Sequence, residues 1–158
     1  MVEEVSKVSG KDDINNFIEF SYEEEKPIPD DIIEIIQSRV ILIEENIVIF
    51  NSLPKKIINL SKIMFEKMDE LTIDLDNYTL IRIFTDTETR GNAEYRDWIY
   101  QQLKERIKLK HISFVVPLAD ESIIRMLVKF TMAKIDHLSY SVDNSLSDAI
   151  TTIRELGF

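Results

Sequence analysis

The apolar positions fall into two alternating rhythms from residue 39 onward. RVILI and IVIF are β-branched runs separated only by Glu44-Glu45-Asn46, a spacing that predicts an antiparallel hairpin. After Pro54 the period changes: Ile57, Leu60, Met64, Met68 and Leu71, with Ile63 alongside, recur at helical spacing. TLIRIF, from Thr79 to Phe84, is a buried-strand pattern. Asn92 then stands where a helix cap would, ahead of a stripe of Tyr95, Ile99, Leu103 and Ile107 with Trp98 on its flank. ISFVV (Ile112 to Val116) is the next strand and stops at Pro117. DESIIRMLVKFTMAKI predicts a helix with Ile123, Ile124, Leu127 and Phe130 turned inward, HLSYSV a short alternating strand. Asn144 or Ser145 opens a last helix with Leu146, Ala149, Ile150 and Ile153 inside, and Gly157 stands at its C-cap.

The predicted order is β-β-α-β-α-β-α-β-α. Alternating strands and helices require crossover connections, so the expectation is a small α/β sandwich on a mixed sheet, antiparallel only at its opening hairpin. Before it, residues 1–13 are polar, and the stretch 14–31 has apolar Ile14, Phe17, Ile18, Phe20 and Tyr22 before the breakers Pro27 and Pro29. Glu23, Glu24 and Glu25 beside those prolines read as a solvated connector. Residues 1–31 are thus expected to be an acidic, partly flexible segment, and residues 32–158 a single α/β domain.

Composition narrows the partners. The chain has 158 residues, 44% hydrophobic and 30% charged, enough for one core. Its 29 acids against 19 Lys and Arg leave a net charge of −10, which opposes phosphate-backbone binding, so nucleic acid is not an expected partner. Without cysteine there is neither a disulfide framework nor a thiolate metal site. The first residues do not read as a signal peptide and no apolar run has the length of a membrane span, so a cytoplasmic, soluble protein is expected.

One stretch carries candidate chemistry. FTDTETRGNAEYRD, from Phe84 to Asp97, contains a DxE pair after a strand, as in the first metal motif of DnaQ-like 3′–5′ exonucleases. Two-metal hydrolysis would use Asp86 and Glu88, with Asp97 as a third ligand and His137 and Asp143 as a last motif. The arrangement argues against it, since the DxE here follows the third strand rather than the first. NAEYRD also comes directly after it, with no room for intervening strands. Asp, Thr, Gly and Asn are ordinary loop and cap residues, and a strand-to-helix loop accounts for the whole stretch. Three glycines give no phosphate loop, no nucleophile elbow is present, and His111 and His137 lack partners at metal-binding spacing. No catalytic residue, metal or cofactor is expected.

HISFVVPLADESIIRMLVKFTMAKI, a strand, and NSLSDAITTIREL together resemble the second half of STAS-like domains, relatives in fold of the anti-sigma-factor antagonists of bacterial sporulation. The resemblance is carried by Arg125-Met126, Lys129-Phe130 and the helix start Ser145 through Asp148-Ala149. The hairpin and first helix, residues 39–71, fit the same topology. It implies a STAS-like fold and a non-catalytic regulatory or binding role through a protein partner or small ligand. In that family the loop after the third strand holds a phosphoacceptor Ser. The matching loop here offers Thr85, Asp86, Thr87, Thr89 and Asn92 but no Ser, with Thr89 electrostatically suited to a phosphate near a helix N-terminus. Arg96, Arg125 and Lys129 are the candidate partner face. A structural or oligomerising domain is the remaining alternative, with a homo-oligomer as its expected state.

Overall fold

A computed structural model of the chain describes residues 27–53, 56–84, 92–116 and 121–158. The elements are α1 (Asp30–Gln37), β1 (Val40–Ile43), β2 (Ile47–Asn51), α2 (Ile58–Leu71), β3 (Tyr78–Ile83), α3 (Ala93–Glu105), β4 (Leu109–Val115), α4 (Glu121–Met132), β5 (Ser139–Asp143) and α5 (Leu146–Glu155). This is an α/β fold on a five-stranded mixed sheet. All predicted elements are present, and α1 is an addition. Pro29, read from sequence as a breaker, is the N-cap of that helix, where a missing N–H costs nothing. Asp30 and Asp31 fill its first turn, where carboxylates favour the positive end of the dipole, and Ile32 and Ile36 bury one turn apart.

The strands lie in the order β1-β2-β3-β4-β5. Only β1 and β2 are antiparallel; β2-β3, β3-β4 and β4-β5 are parallel. The hairpin turns through Glu44 and Glu45, both at positive φ (47° and 73°), a conformation that favours glycine and here carries two glutamates. Because each crossover steps to the next strand in the same direction, a constant handedness puts α2, α3 and α4 on one face. Their apolar stripes, with α1, close over Val48, Phe50, Leu80, Ile112 and Phe114. Among the described residues the opposite face is covered by α5, whose Ala149 and Ile153 pack on Ile47, Ile49 and Ile81.

Helix ends follow the local chemistry. Asn92 accepts the Tyr95 N–H at 2.8 Å and Ser145 accepts that of Asp148 at 3.1 Å. At the end of α5, Gly157 (φ 88°) lets its own N–H reach the Arg154 carbonyl (3.1 Å) and the Phe158 N–H reach that of Ile153 (3.3 Å), a Schellman cap. Two inward expectations are corrected. Phe130 is 69% exposed, because α4 turns Val128 and Met132 to the core and a residue two places along lies on the other side. Ile107 is also exposed, since α3 ends at Glu105 and the stripe does not continue past it.

Candidate functional site

The sequence-derived residues separate into three places. Thr85, Asp86, Thr87, Glu88 and Thr89 lie outside the described residues. Asn92 is occupied as the cap of α3, and Arg96 is exposed one turn later. Arg125 and Lys129 are exposed on a different helix, α4, where Arg125 also donates to the Val142 carbonyl at 3.4 Å. Of the nuclease set, Asp97 is exposed on α3, while His137 precedes β5 and donates Nε2–H to the Arg106 carbonyl (3.2 Å). Asp143 ends that strand and is held by hydroxyls. Among the described residues no group of three or more His, Cys, Asp and Glu is placed to hold a metal.

The structure assembles a cationic cluster that the sequence reading missed, where β2 and β3 end. Arg39, wholly buried between α1 and β1, donates Nη1–H to the carbonyls of Asn51 (3.3 Å) and Ser52 (3.2 Å). Arg82 comes from β3 and donates Nε–H to Ser52 Oγ at 3.2 Å, so both guanidinium groups meet at one residue. Lys56 donates to the Leu53 carbonyl at 3.1 Å. Its Nζ and the Arg82 guanidinium lie over the same Phe84 ring, 5.7 and 4.6 Å from the centroid. Burial, then the charges of Arg82 and Arg39, push the Lys56 pKa down to about 5. Burial likewise lowers that of Arg82, against an opposing contribution from Tyr95.

Beside this cluster, between α2 and α3, is a cavity of about 20 Å³ reached by Ser52, Ser61, Arg82 and Tyr95. That volume holds one water-sized group. Ser61 Oγ and Tyr95 OH bond across it at 2.8 Å. The available signal in sequence was a charged residue within an apolar run: Arg39 opens RVILI and Arg82 interrupts TLIRIF, and such residues are buried only when something binds them.

A second polar group occupies the α5 face. Asp143 Oδ2 accepts from Ser113 Oγ (2.5 Å) and Ser141 Oγ (3.0 Å), and Oδ1 accepts from Thr152 Oγ1 (2.8 Å). With the Ser141 proton committed to Asp143, its oxygen accepts His111 Nε2–H at 3.0 Å. His111 Nδ1 and Ser139 Oγ share a hydrogen bond at 2.7 Å, and the Ser139 hydroxyl also donates to the Lys110 carbonyl at 3.3 Å. Burial pushes the His111 pKa below the usual value, with Asp143 acting the other way. The Phe158 ring stacks on the imidazole at 5.5 Å. The network ties β4, β5 and α5 together.

Searches for relatives add no family here: no family model, no curated protein and no solved structure matches the chain.

Proposed function

We propose that the protein is a non-catalytic regulatory binding module, STAS-like in organisation, that docks a protein partner. The observation that carries this reading is the outer face of α4. Met126 and Phe130 are 54% and 69% exposed one helical turn apart, with exposed Arg125 and Lys129 beside them. Large apolar side chains in water flanked by cations suit recognition of a complementary surface. The hairpin followed by successive strand-helix units is also the organisation that the resemblance implied. A cytoplasmic site of action is part of the proposal, supported by a cysteine-free composition. Among the described residues no helix is long and apolar enough to cross a membrane.

A photo-crosslinking side chain at position 130 tests the reading against one at Ile73, which is similarly exposed in the turn that follows α2. In native lysate, a discrete adduct is expected from position 130 only, and it should vanish from chains also carrying Met126→Ser. Equal labelling at 73 and 130, or an adduct indifferent to Met126→Ser, would rule out α4 as the docking face.

A further inference from the structure

We propose that His111 senses pH through a latch at the end of α5. While the imidazole is neutral Phe158 covers it; when the ring takes up a proton, Phe158 lifts and admits water. The latch lies across the sheet from α4, so it does not rest on the docking face.

The hydrogen bonds of the ring allow both charge states. His111 is wholly buried, yet each ring nitrogen meets a hydroxyl that has a second acceptor. Ser141 Oγ, 3.0 Å from Nε2, also donates to Asp143 Oδ2 at 3.0 Å. Ser139 Oγ, 2.7 Å from Nδ1, also reaches the Lys110 carbonyl at 3.3 Å. A neutral ring takes the Ser139 proton at Nδ1. A charged ring donates from Nδ1 instead, and the Ser139 proton turns to the Lys110 carbonyl. Both states keep the two bonds of the ring, so a proton enters by the rotation of one hydroxyl.

The cover over the ring is light. Gly157, at φ 88°, reverses the chain so that Phe158 returns onto His111, 5.5 Å between centroids and 27° between planes. Phe158 is itself 36% exposed. Its N–H reaches the Ile153 carbonyl (3.3 Å), and its own carbonyl accepts from Arg154 Nη1 (3.1 Å). Thr79 stands opposite His111 in the β3–β4 register, and its buried hydroxyl has no partner. An unmade hydrogen bond beside the ring is a further cost of keeping water from this face.

The direction of the response follows from solvation. A charged imidazole is favoured by water, which the cover excludes, so covering and protonation oppose each other. Attraction between an imidazolium and the Phe158 ring works the other way. Burial nevertheless lowers the His111 pKa even against the Asp143 carboxylate. The remaining charges on the packed elements are engaged elsewhere or exposed. On β4, Lys110 turns Nζ to the Ile107 carbonyl, and from β3 the residue opposite is the uncharged Thr79. On α5, Arg154 is held by Glu44, while Asp148 and Glu155 are exposed.

The full chain is followed by NMR between about pH 5 and 7.5, with ring nitrogen shifts reporting His111 and amide exchange reporting the latch. Protection factors at Gly157 and Phe158 should fall as pH is lowered while those of α2 stay level. The total fall should be roughly ten-fold for each unit by which covering depresses the His111 titration. Phe158→Ala uncovers the ring and should move that titration up toward the ordinary 6.5. His111→Gln should leave protection at Gly157 and Phe158 independent of pH. The same His111 titration in the parent and in Phe158→Ala overturns the proposal. So does protection at Phe158 that stays level with pH, that falls only in step with α2, or that still falls in His111→Gln. Phe158 lies at the surface, so its variant keeps the test decisive if His111→Gln does not fold.

Discussion

Lys56 shows how a single side chain's cost depends on neighbours far away in sequence. Arg39 and Arg82 stand 17 residues before it and 26 after, yet both bear on its proton. In the unfolded chain Lys56 is protonated up to the ordinary lysine value of 10.5, whereas burial and the neighbouring guanidinium groups bring it down to about 5 in the folded state. Between those limits the unfolded state binds more protons, so folding releases one and stability increases as pH rises. The contribution is largest at the alkaline end and is lost as pH falls toward 5. Lys56→Met removes the group, so the slope of unfolding free energy against pH between 6 and 9 should fall by on the order of 1 kcal/mol per pH unit. The variant should also be more stable than the parent at pH 7, because an apolar side chain of similar length fills the same space. Urea melts across that range measure both effects.

At the scale of elements, local rules placed helices and caps well and helix faces less well. Asn92, Ser145 and Gly157 act where the spacing predicted, since capping is decided within four residues. The face of α4 was misjudged at Phe130 because several apolar residues there fit more than one stripe, and only packing against the sheet selects Val128 and Met132. On the opposite face α5 packs Ala149 and Ile153 against the sheet and is also tied to it by Asp143, whose carboxylate reaches Thr152 on that helix. Asp143→Ala would leave Ser113, Ser141 and Thr152 without their acceptor, at a cost of roughly 2–3 kcal/mol. Hydrogen exchange should then rise first across α5 while α2 keeps its protection. Loss of protection spread evenly over both helices would mean that the network does not anchor α5 locally.

At the scale of the molecule, the described residues place four helices on one side of the sheet and one on the other, and the chain as a whole carries a net charge of −10. Excess negative charge destabilises the compact state by self-repulsion, and salt screens it beyond about 8 Å at physiological ionic strength. Raising potassium chloride from 10 to 150 mM should therefore raise Tm modestly at pH 7, and the increment should shrink toward pH 5 as carboxylates protonate. Thermal melts at three pH values check this. A Tm that falls with salt would show that attractive surface pairs, such as Arg106 with Asp69 (2.8 Å) and Arg154 with Glu44, outweigh the net repulsion.

The sequence alone determined the α/β class, the hairpin and every element after it, because a period of two or near 3.6 and a cap within one turn are local properties. Even α1 was legible in hindsight from Asp30, Asp31, Ile32 and Ile36, had Pro29 been read as a helix start. Tertiary structure decided which residues meet. The convergence of Arg39, Lys56 and Arg82 on Ser52 and Phe84 exists only because β2 and β3 lie parallel and in register, with Asn51 opposite Ile83. His111 likewise meets Ser139 and Ser141 only because β4 and β5 are neighbours. Pairing register is a property of the sheet, set by the packing of both faces at once, and no local pattern around an isolated arginine or histidine carries it.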